Sequence, residues 1–136
     1  MEQLLDTWRP RLLSIMRIVT GFLLIQHGGQ KIFGFPKPQR YDFDLFSLSG
    51  VAGMLELFGG FLIVIGLFTR PTSFLLSGLM AFAYFIAHAP KGFWPILNGG
   101  ELAALYSFVF LYLSVAGAGN WSVDHIRGGR RLSGHA

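Results

Sequence analysis

Four apolar segments divide the chain, and prolines, glycines or charged residues separate each from the next. They cover approximately residues 12–33, 48–68, 72–89 and 102–118. As helices rising about 1.5 Å per residue, these segments would be roughly 25–33 Å long, close to the hydrocarbon thickness of a bilayer. None shows the sustained two-residue alternation of a strand. The pattern therefore predicts an all-α protein, and specifically a four-helix transmembrane bundle.

The breaks between the segments predict where the helices end. Pro36 and Pro38 are expected to end the first segment, and Pro71 allows only a tight turn before the third. The sequence Asn98-Gly-Gly-Glu101 predicts the start of the fourth helix. In this interpretation Asn98 is the N-cap and Glu101 completes a capping box.

Composition supports a membrane protein. The 136 residues are 52% hydrophobic and 13% charged, whereas soluble domains have roughly a quarter charged residues. This length fits one membrane domain over residues 1–136, with a short basic C-terminal tail over residues 121–136. Because cysteine is absent, structural disulfides, thiolate metal sites and thiol redox chemistry are excluded.

The basic residues predict the orientation of the chain and argue against nucleic acid as a partner. The net charge of +4 comes from residues scattered near the segment ends, which is typical of membrane topology. With four spans, both termini and the second loop share one side, which carries Arg9, Arg11, Arg70, Arg127, Arg130 and Arg131. The opposite side carries Lys31, Lys37, Arg40 and Lys91. Since Lys and Arg are enriched on the cytoplasmic side, the distribution predicts cytoplasmic termini.

Glu56 lies within the second apolar segment, at a depth where an ionisable group is costly and usually faces a bundle interior. Ala52, Glu56 and Gly60 recur every four residues, and small residues at this spacing let another helix approach. In the predicted topology every segment brings polar residues to the outer half of the bundle. These residues are His27, Gln30, Lys31, Glu56, Tyr84, His88, Asn98 and Glu101. The sequence therefore predicts a polar pocket in the outer leaflet.

Structural alternatives remain open for these residues. Glu56 could be protonated, or paired with Lys31 or a helix-end donor, and serve only to hold helices together. Glu101 could be a capping residue, and His88 an interfacial one. His27 and His88, on different helices, could also ligate haem iron or help to bind zinc or copper, but no motif supports this.

Arg17 lies nearer the inner leaflet, away from this group of residues. It could extend its charged end to the interface, or pair with Asp124.

Several motifs together resemble the DoxX family of small bacterial and archaeal membrane proteins. Residues 17–34 resemble the first-span signature of the family, and Glu56-Leu-Phe-Gly-Gly60 resembles its acidic residue followed by glycines. Asn98-Gly-Gly-Glu101 is also similar, and residues 119–124 resemble the closing Gly-x-Trp-Ser-x-Asp. The resemblance covers residues 12–126. It implies four transmembrane helices in the cytoplasmic membrane and an association with quinone-linked redox systems.

The expected function is a subunit or accessory of a quinone-linked membrane oxidoreductase system. Glu56 and His27 would be the catalytic residues, with His27 and Lys31 bonding the quinone oxygens while Glu56 or Glu101 relays protons. The remaining ligand-binding candidates are Gln30, Tyr84, His88 and Asn98. No flavin or nicotinamide fingerprint is present, so electrons would come from a partner subunit or an unrecognised cofactor. The alternatives are a small-molecule permease or transport accessory, as a homo-oligomer, and a scaffold that recruits redox partners through its tail.

Overall fold

The computed structural model describes residues 1–38 and 43–133, and it describes side chains as far as residue 129. Arg40, used above to predict topology, and residues 134–136 of the tail lie outside the described residues. Within the described ranges the chain forms helices and no strands, which confirms the all-α class. The α-helices are α1 (Glu2–Phe33), α2 (Leu48–Ile65), α3 (Thr69–Ala83), α4 (Pro95–Asn98), α5 (Glu101–Ala116) and α6 (Val123–Ser133).

Three helical stretches in the described part of the chain are long and apolar enough to cross a membrane. They are Glu2–Phe33, Leu48–Ile65 and Thr69–Lys91. The last combines α3 with a π-helical turn, Tyr84–His88, and a 3-10 turn, Ala89–Lys91. Helix α5 is apolar but has only 16 residues, or roughly 24 Å, compared with a hydrocarbon core of about 30 Å. The structure thus supports three membrane-length helices and a shorter fourth.

Glycines rather than prolines end the first two long helices. Gly34 follows α1 with φ 63°, and its N–H bonds to the carbonyl of Gln30. Gly66 follows α2 in the same left-handed conformation, with φ 67°. A glycine adopts this conformation without the steric cost that a side chain would add. Pro36 therefore lies beyond a helix that has already ended.

The capping box predicted for the fourth apolar helix is wrong. Asn98 is the last residue of α4, and Gly100 is the residue that precedes α5. Gly100 has no side chain with which to cap, so the reciprocal pair with Glu101 does not form. Glu101 retains only its place in the first turn of α5, where a negative charge is favoured by the helix dipole.

Helices α1 and α2 pack with their backbones in direct contact. A Cβ added to Gly28 would lie 2.5 Å from the amide nitrogen of Leu57 and 2.7 Å from the carbonyl oxygen of Gly53. About two helical turns earlier on α1, a Cβ added to Gly21 would lie 3.0 Å from the carbonyl oxygen of Gly60. Small residues allow this close approach of membrane helices.

Helix α3 packs against α5 and also contacts α2. Ser77 donates to the carbonyl of Ser107 at 2.8 Å, and Ser107 donates to the carbonyl of Ser77 at 3.1 Å. The buried hydrophobic core between the helices consists of Leu24, Ile63, Leu76, Met80, Tyr106, Phe110 and Leu113. The two helix pairs, α1 with α2 and α3 with α5, therefore share one core.

Arg17 ties the end of α2 to the segment that follows α5. It is 0% exposed, and its guanidinium donates only to backbone carbonyl groups. These belong to Ile63, Val64, Ala118 and Trp121. A buried charge is stable only when its hydrogen-bonding groups are satisfied, and the carbonyls provide this. The suggestion that Arg17 extends to the interface is therefore wrong.

Asp124 forms hydrogen bonds with the start of α3. Its two carboxylate oxygens accept hydrogen bonds from the backbone N–H groups of Phe68 and Thr69, at 2.9 and 2.8 Å. Among the described residues it forms no direct salt bridge with Arg17, and the two opposite charges attract each other only over a longer distance. Asp124 instead caps the start of α3, where a negative charge is favourable.

The contact between α1 and α2 can be tested by adding a methyl group. We expect Gly28→Ala to lower the free energy of unfolding by about 1–3 kcal/mol, because the helices must separate to admit it. Gly78 on α3 is a matched control, since nothing lies within 4 Å of an added Cβ there. Gly78→Ala should be neutral or stabilising by up to about 1 kcal/mol. Thermal unfolding of both variants in detergent is the measurement, and equal midpoints would contradict the close packing.

Candidate functional site

An ion pair lies between α1 and α2. The Nζ of Lys31 donates to the Oε1 of Glu56 at 2.6 Å. Glu56 is 3% exposed, whereas the side chain of Lys31 is 29% exposed. The absence of a side chain at Gly53 makes room for Lys31, whose Cβ would lie 2.8 Å from a Cβ there. The expectation that Glu56 faces a polar group on another helix is confirmed.

The second carboxylate oxygen of Glu56 has no partner. Its Oε2 is buried and accepts no hydrogen bond from any described residue, and the hydroxyl of Tyr106 on α5 is likewise buried and unpaired. Buried polar atoms are nearly always paired, so each exception calls for an explanation. A carboxylate oxygen accepts hydrogen bonds, and a phenol can donate or accept one. These two atoms therefore offer complementary functions to a bound molecule.

Both residues line one cavity of about 280 Å³ between the helices. This is close to the lower end of the range of roughly 300–1,000 Å³ that small-molecule sites usually have. The polar side chains of its lining are His27, Lys31, Glu56, His88 and Tyr106. The rest of the lining is apolar or glycine and comprises Leu24, Met80, Ala83, Gly99, Leu102 and Ala103. The cavity thus combines apolar walls with a few polar groups, as small-molecule sites usually do.

Two histidines reach the cavity from different helices. The ring of His27 meets that of Tyr106 edge-on, with centroids 6.1 Å apart, and no described residue hydrogen-bonds to it. His88 stacks on Tyr84, with centroids 6.5 Å apart. Tyr84 and His88 begin and end the π-helical turn, a feature that is frequent at functional sites. The turn changes the direction in which His88 leaves α3, towards the cavity.

Asn98 holds the loop behind His88 and does not line the cavity. Its Nδ2 donates to the carbonyl of Gly92 at 2.8 Å, and its Oδ1 accepts from the N–H of Gly100, also at 2.8 Å. The Nδ1 of His88 lies 3.1 Å from the carbonyl oxygen of Asn98. Because the side-chain amide is 3% exposed and already bonded, Asn98 orients the loop and His88.

The other binding residues predicted from the sequence lie beside the cavity or outside it. Tyr84 stacks on His88, and Gln30 lines an adjoining depression of about 210 Å³ that also includes His27 and Tyr106. Glu101 is exposed at the start of α5 and is not part of the cavity lining. The structure therefore brings together His27, Lys31, Glu56 and His88, and it leaves Glu101 apart.

Tyr106 is a lining residue that sequence reasoning missed. The available signal was a tyrosine within the fourth apolar segment, one turn beyond Leu102. A tyrosine inside an apolar helix needs a partner for its hydroxyl, so Tyr106 resembles Glu56 in this respect.

The described residues contain no group of three or more His, Asp or Glu side chains arranged to hold a metal ion.

The helices and the polar cavity between them define a small helical membrane protein. A family model described as DoxX matches residues 12–89. The chain belongs to the DoxX family of small membrane proteins, which confirms the resemblance noted in the sequence. The matched range includes His27, Lys31, Glu56 and His88, but not Tyr106.

Two similar proteins come from Haemophilus influenzae (strain ATCC 51907 / DSM 11121 / KW20 / Rd). One, described as an uncharacterized protein, is 42% identical over 135 residues and covers 89% of this chain and 94% of its own length. The other, described in the same words, is 35% identical over 69 residues, or 51% of this chain and 46% of its own length. No solved structure matches the chain.

The ion pair can be tested by a double-mutant cycle. Lys31→Met should lower thermal stability because it leaves the Glu56 carboxylate buried without its counter-ion. Glu56→Gln should do so to a smaller extent, and the double variant should recover part of the loss. The expected coupling free energy is about 1–3 kcal/mol. Lys91→Met is the control, since Lys91 is exposed and should tolerate the change. Additive losses would show that Lys31 and Glu56 do not interact.

Proposed function

We propose that this protein binds the head group of a quinone-like molecule in the Glu56 cavity, as a subunit or accessory of a quinone-linked membrane oxidoreductase system. The observation that supports this most directly is the pair of unpartnered buried atoms, Glu56 Oε2 and the Tyr106 hydroxyl, on one small cavity. A quinone head group carries two oxygens on opposite sides of a flat ring. In the reduced quinol form each of these oxygens carries a proton, so one hydroxyl can donate to the carboxylate oxygen while the other accepts from the phenol.

Each polar group would have a defined task. One hydroxyl of the quinol would donate to Oε2 of Glu56, and the oxygen of its other hydroxyl would accept from Tyr106 or His27. Lys31 would hold the Glu56 carboxylate in place through Oε1. The apolar walls, including Leu24 and Met80, would pack against the faces of the ring.

Proton exchange fits the same groups. Reducing a quinone to a quinol takes two electrons and two protons. Imidazole and carboxyl groups are common general acids and bases, so His27 and Glu56 are the side chains that would exchange these protons with the bound ring. The electrons would pass to or from a redox centre of a partner protein, because this sequence carries no flavin or nicotinamide fingerprint.

The proposal includes a membrane arrangement with four spans and cytoplasmic termini. Helix α5 would cross as the fourth span with little tilt, accommodated by slight thinning of the bilayer. The cavity would then lie in the outer leaflet of the cytoplasmic membrane of a bacterium or archaeon. The opposite end of the bundle, which contains Arg17 and Asp124, would lie at the cytoplasmic face.

Reporter fusions test this arrangement. A C-terminal green fluorescent protein should fluoresce, because four spans return the chain to the cytoplasm. Alkaline phosphatase joined after Lys91 should be active, since that turn is predicted to lie outside. A C-terminus on the outside would show that α5 does not cross. A loop containing Lys37 on the inside would overturn both the orientation and the outer-leaflet location of the cavity.

Binding of a tail-less benzoquinone, kept in its reduced quinol form, to the purified protein tests the proposed function. Wild type should bind, and Glu56→Gln and His27→Ala should bind at least about tenfold more weakly, because the first replaces a charge-assisted hydrogen bond by a neutral one and the second removes a hydrogen bond. Glu101→Gln is the matched control, since Glu101 lies outside the cavity, and it should bind as wild type does. Titration calorimetry in detergent is the measurement. Equal affinity in all four proteins, or none in wild type, would exclude the quinone and favour the transport or scaffold alternatives.

A further inference from the structure

A second, apolar cavity opens beside the first. It has a volume of about 410 Å³ and lies between the start of α2 and the end of α3. Phe46 and Val51 form one wall, and Leu79, Phe82 and Ile86 form the other. We call it the lateral groove. Phe46 is 90% exposed and Phe82 54% exposed, so in a membrane the groove faces the lipid chains.

The lateral groove and the Glu56 cavity share two residues, Lys31 and Ala83. Lys31 places its charged end on Glu56 in the cavity, while its methylene groups can cover apolar surface. Ala83 is the last residue of α3 before the π-helical turn, and its methyl side chain fills little space. The flexible stem of Lys31 and the small side chain of Ala83 therefore form the boundary between the lateral groove and the Glu56 cavity.

We propose that the site takes an amphipathic ligand, with its polar head group in the Glu56 cavity and its hydrocarbon tail in the lateral groove. This inference rests on the proposed function and specifies its ligand class: a quinone with an isoprenoid or alkyl chain, rather than a water-soluble one. Such a ligand would enter sideways from the bilayer between α2 and α3 and would not have to cross the outer aqueous face.

The chemistry of the two openings supports this direction. The depression that adjoins the cavity at His27 and Tyr106 carries the amides of Gln26 and Gln30 among apolar residues. The lateral groove offers mainly aromatic and aliphatic side chains, and its volume is about 410 Å³, compared with about 210 Å³ for the depression. An apolar tail therefore makes more dispersion contacts in the groove than in the depression. We assign the tail to the groove for this reason.

The test compares two probes on proteins with a filled groove: a decyl-tailed benzoquinone and its tail-less parent, both kept in the reduced quinol form. Val51→Trp and Ala87→Phe both alter residues that line the groove but not the cavity. Each should weaken binding of the decyl compound by about tenfold relative to wild type, because the tail loses its space. Binding of the tail-less parent should stay unchanged. Val19→Trp, at a half-exposed site on α1 away from the groove, is the control for adding a large side chain.

The outcomes separate this inference from the proposed function. If the tail-less parent binds wild type but groove variants bind both probes as wild type does, the tail does not use the groove and only this inference fails. Equal weakening of both probes would also overturn it. If neither probe binds wild type, the proposed function fails and the ligand class fails with it.

A second measurement does not depend on the folding of any variant. A decyl benzoquinone with a photoreactive diazirine at the tail end should label wild type within residues 46–52 or 79–87. Mass spectrometry identifies the labelled peptides. Labelling that is confined to other helices would contradict the lateral groove as the place of the tail.

Discussion

The close approach of α1 and α2 is the constraint on which the rest of the structure depends. At Gly28 the two backbones leave no space for a single methyl group. This contact sets the height of Lys31 on α1 against Glu56 on α2, and Gly53 leaves room for the lysine stem. A wider crossing would separate the charges and leave a carboxylate alone in a low-dielectric interior, which is strongly unfavourable. The ion pair between Lys31 and Glu56 therefore depends on the glycine contacts that hold α1 against α2.

Buried charged groups at the two ends of the structure differ in how completely they are hydrogen-bonded. Each guanidinium nitrogen of Arg17 donates to at least one backbone carbonyl, and Asp124 uses both oxygens on the start of α3. Around Glu56 only one oxygen is bonded. Two neutral hydroxyls, those of Thr69 and Ser73, are also unpaired, but leaving a charged oxygen unpaired costs more. A saturated network stabilises the fold, whereas an unsaturated one next to a cavity indicates a place for a ligand.

Much of the fold follows from the sequence, because hydrophobic segments of membrane length and small residues around Glu56 are local signals. The pairing of Lys31 with Glu56 was among the alternatives because the predicted topology brings both residues to the outer half of the bundle. The role of Asn98 was misjudged since a capping motif is defined over a few residues, while its actual partners depend on the loop formed by Gly92 and Gly100. Tyr106 was missed because its importance comes from contacts with His27 and the cavity, which link distant parts of the chain.

The π-helical turn connects these observations. A continuous α-helix through Tyr84–His88 would keep the 3.6-residue period of α3, whereas a π-helical turn rotates the side chains that follow it. The wider turn interrupts that period just after Ala83, where the Glu56 cavity and the lateral groove meet. His88 then turns towards the cavity, and Ile86 towards the groove. The same backbone irregularity thus contributes a polar group to one space and an apolar wall to the other, as a site for a molecule with a polar head and an apolar tail requires.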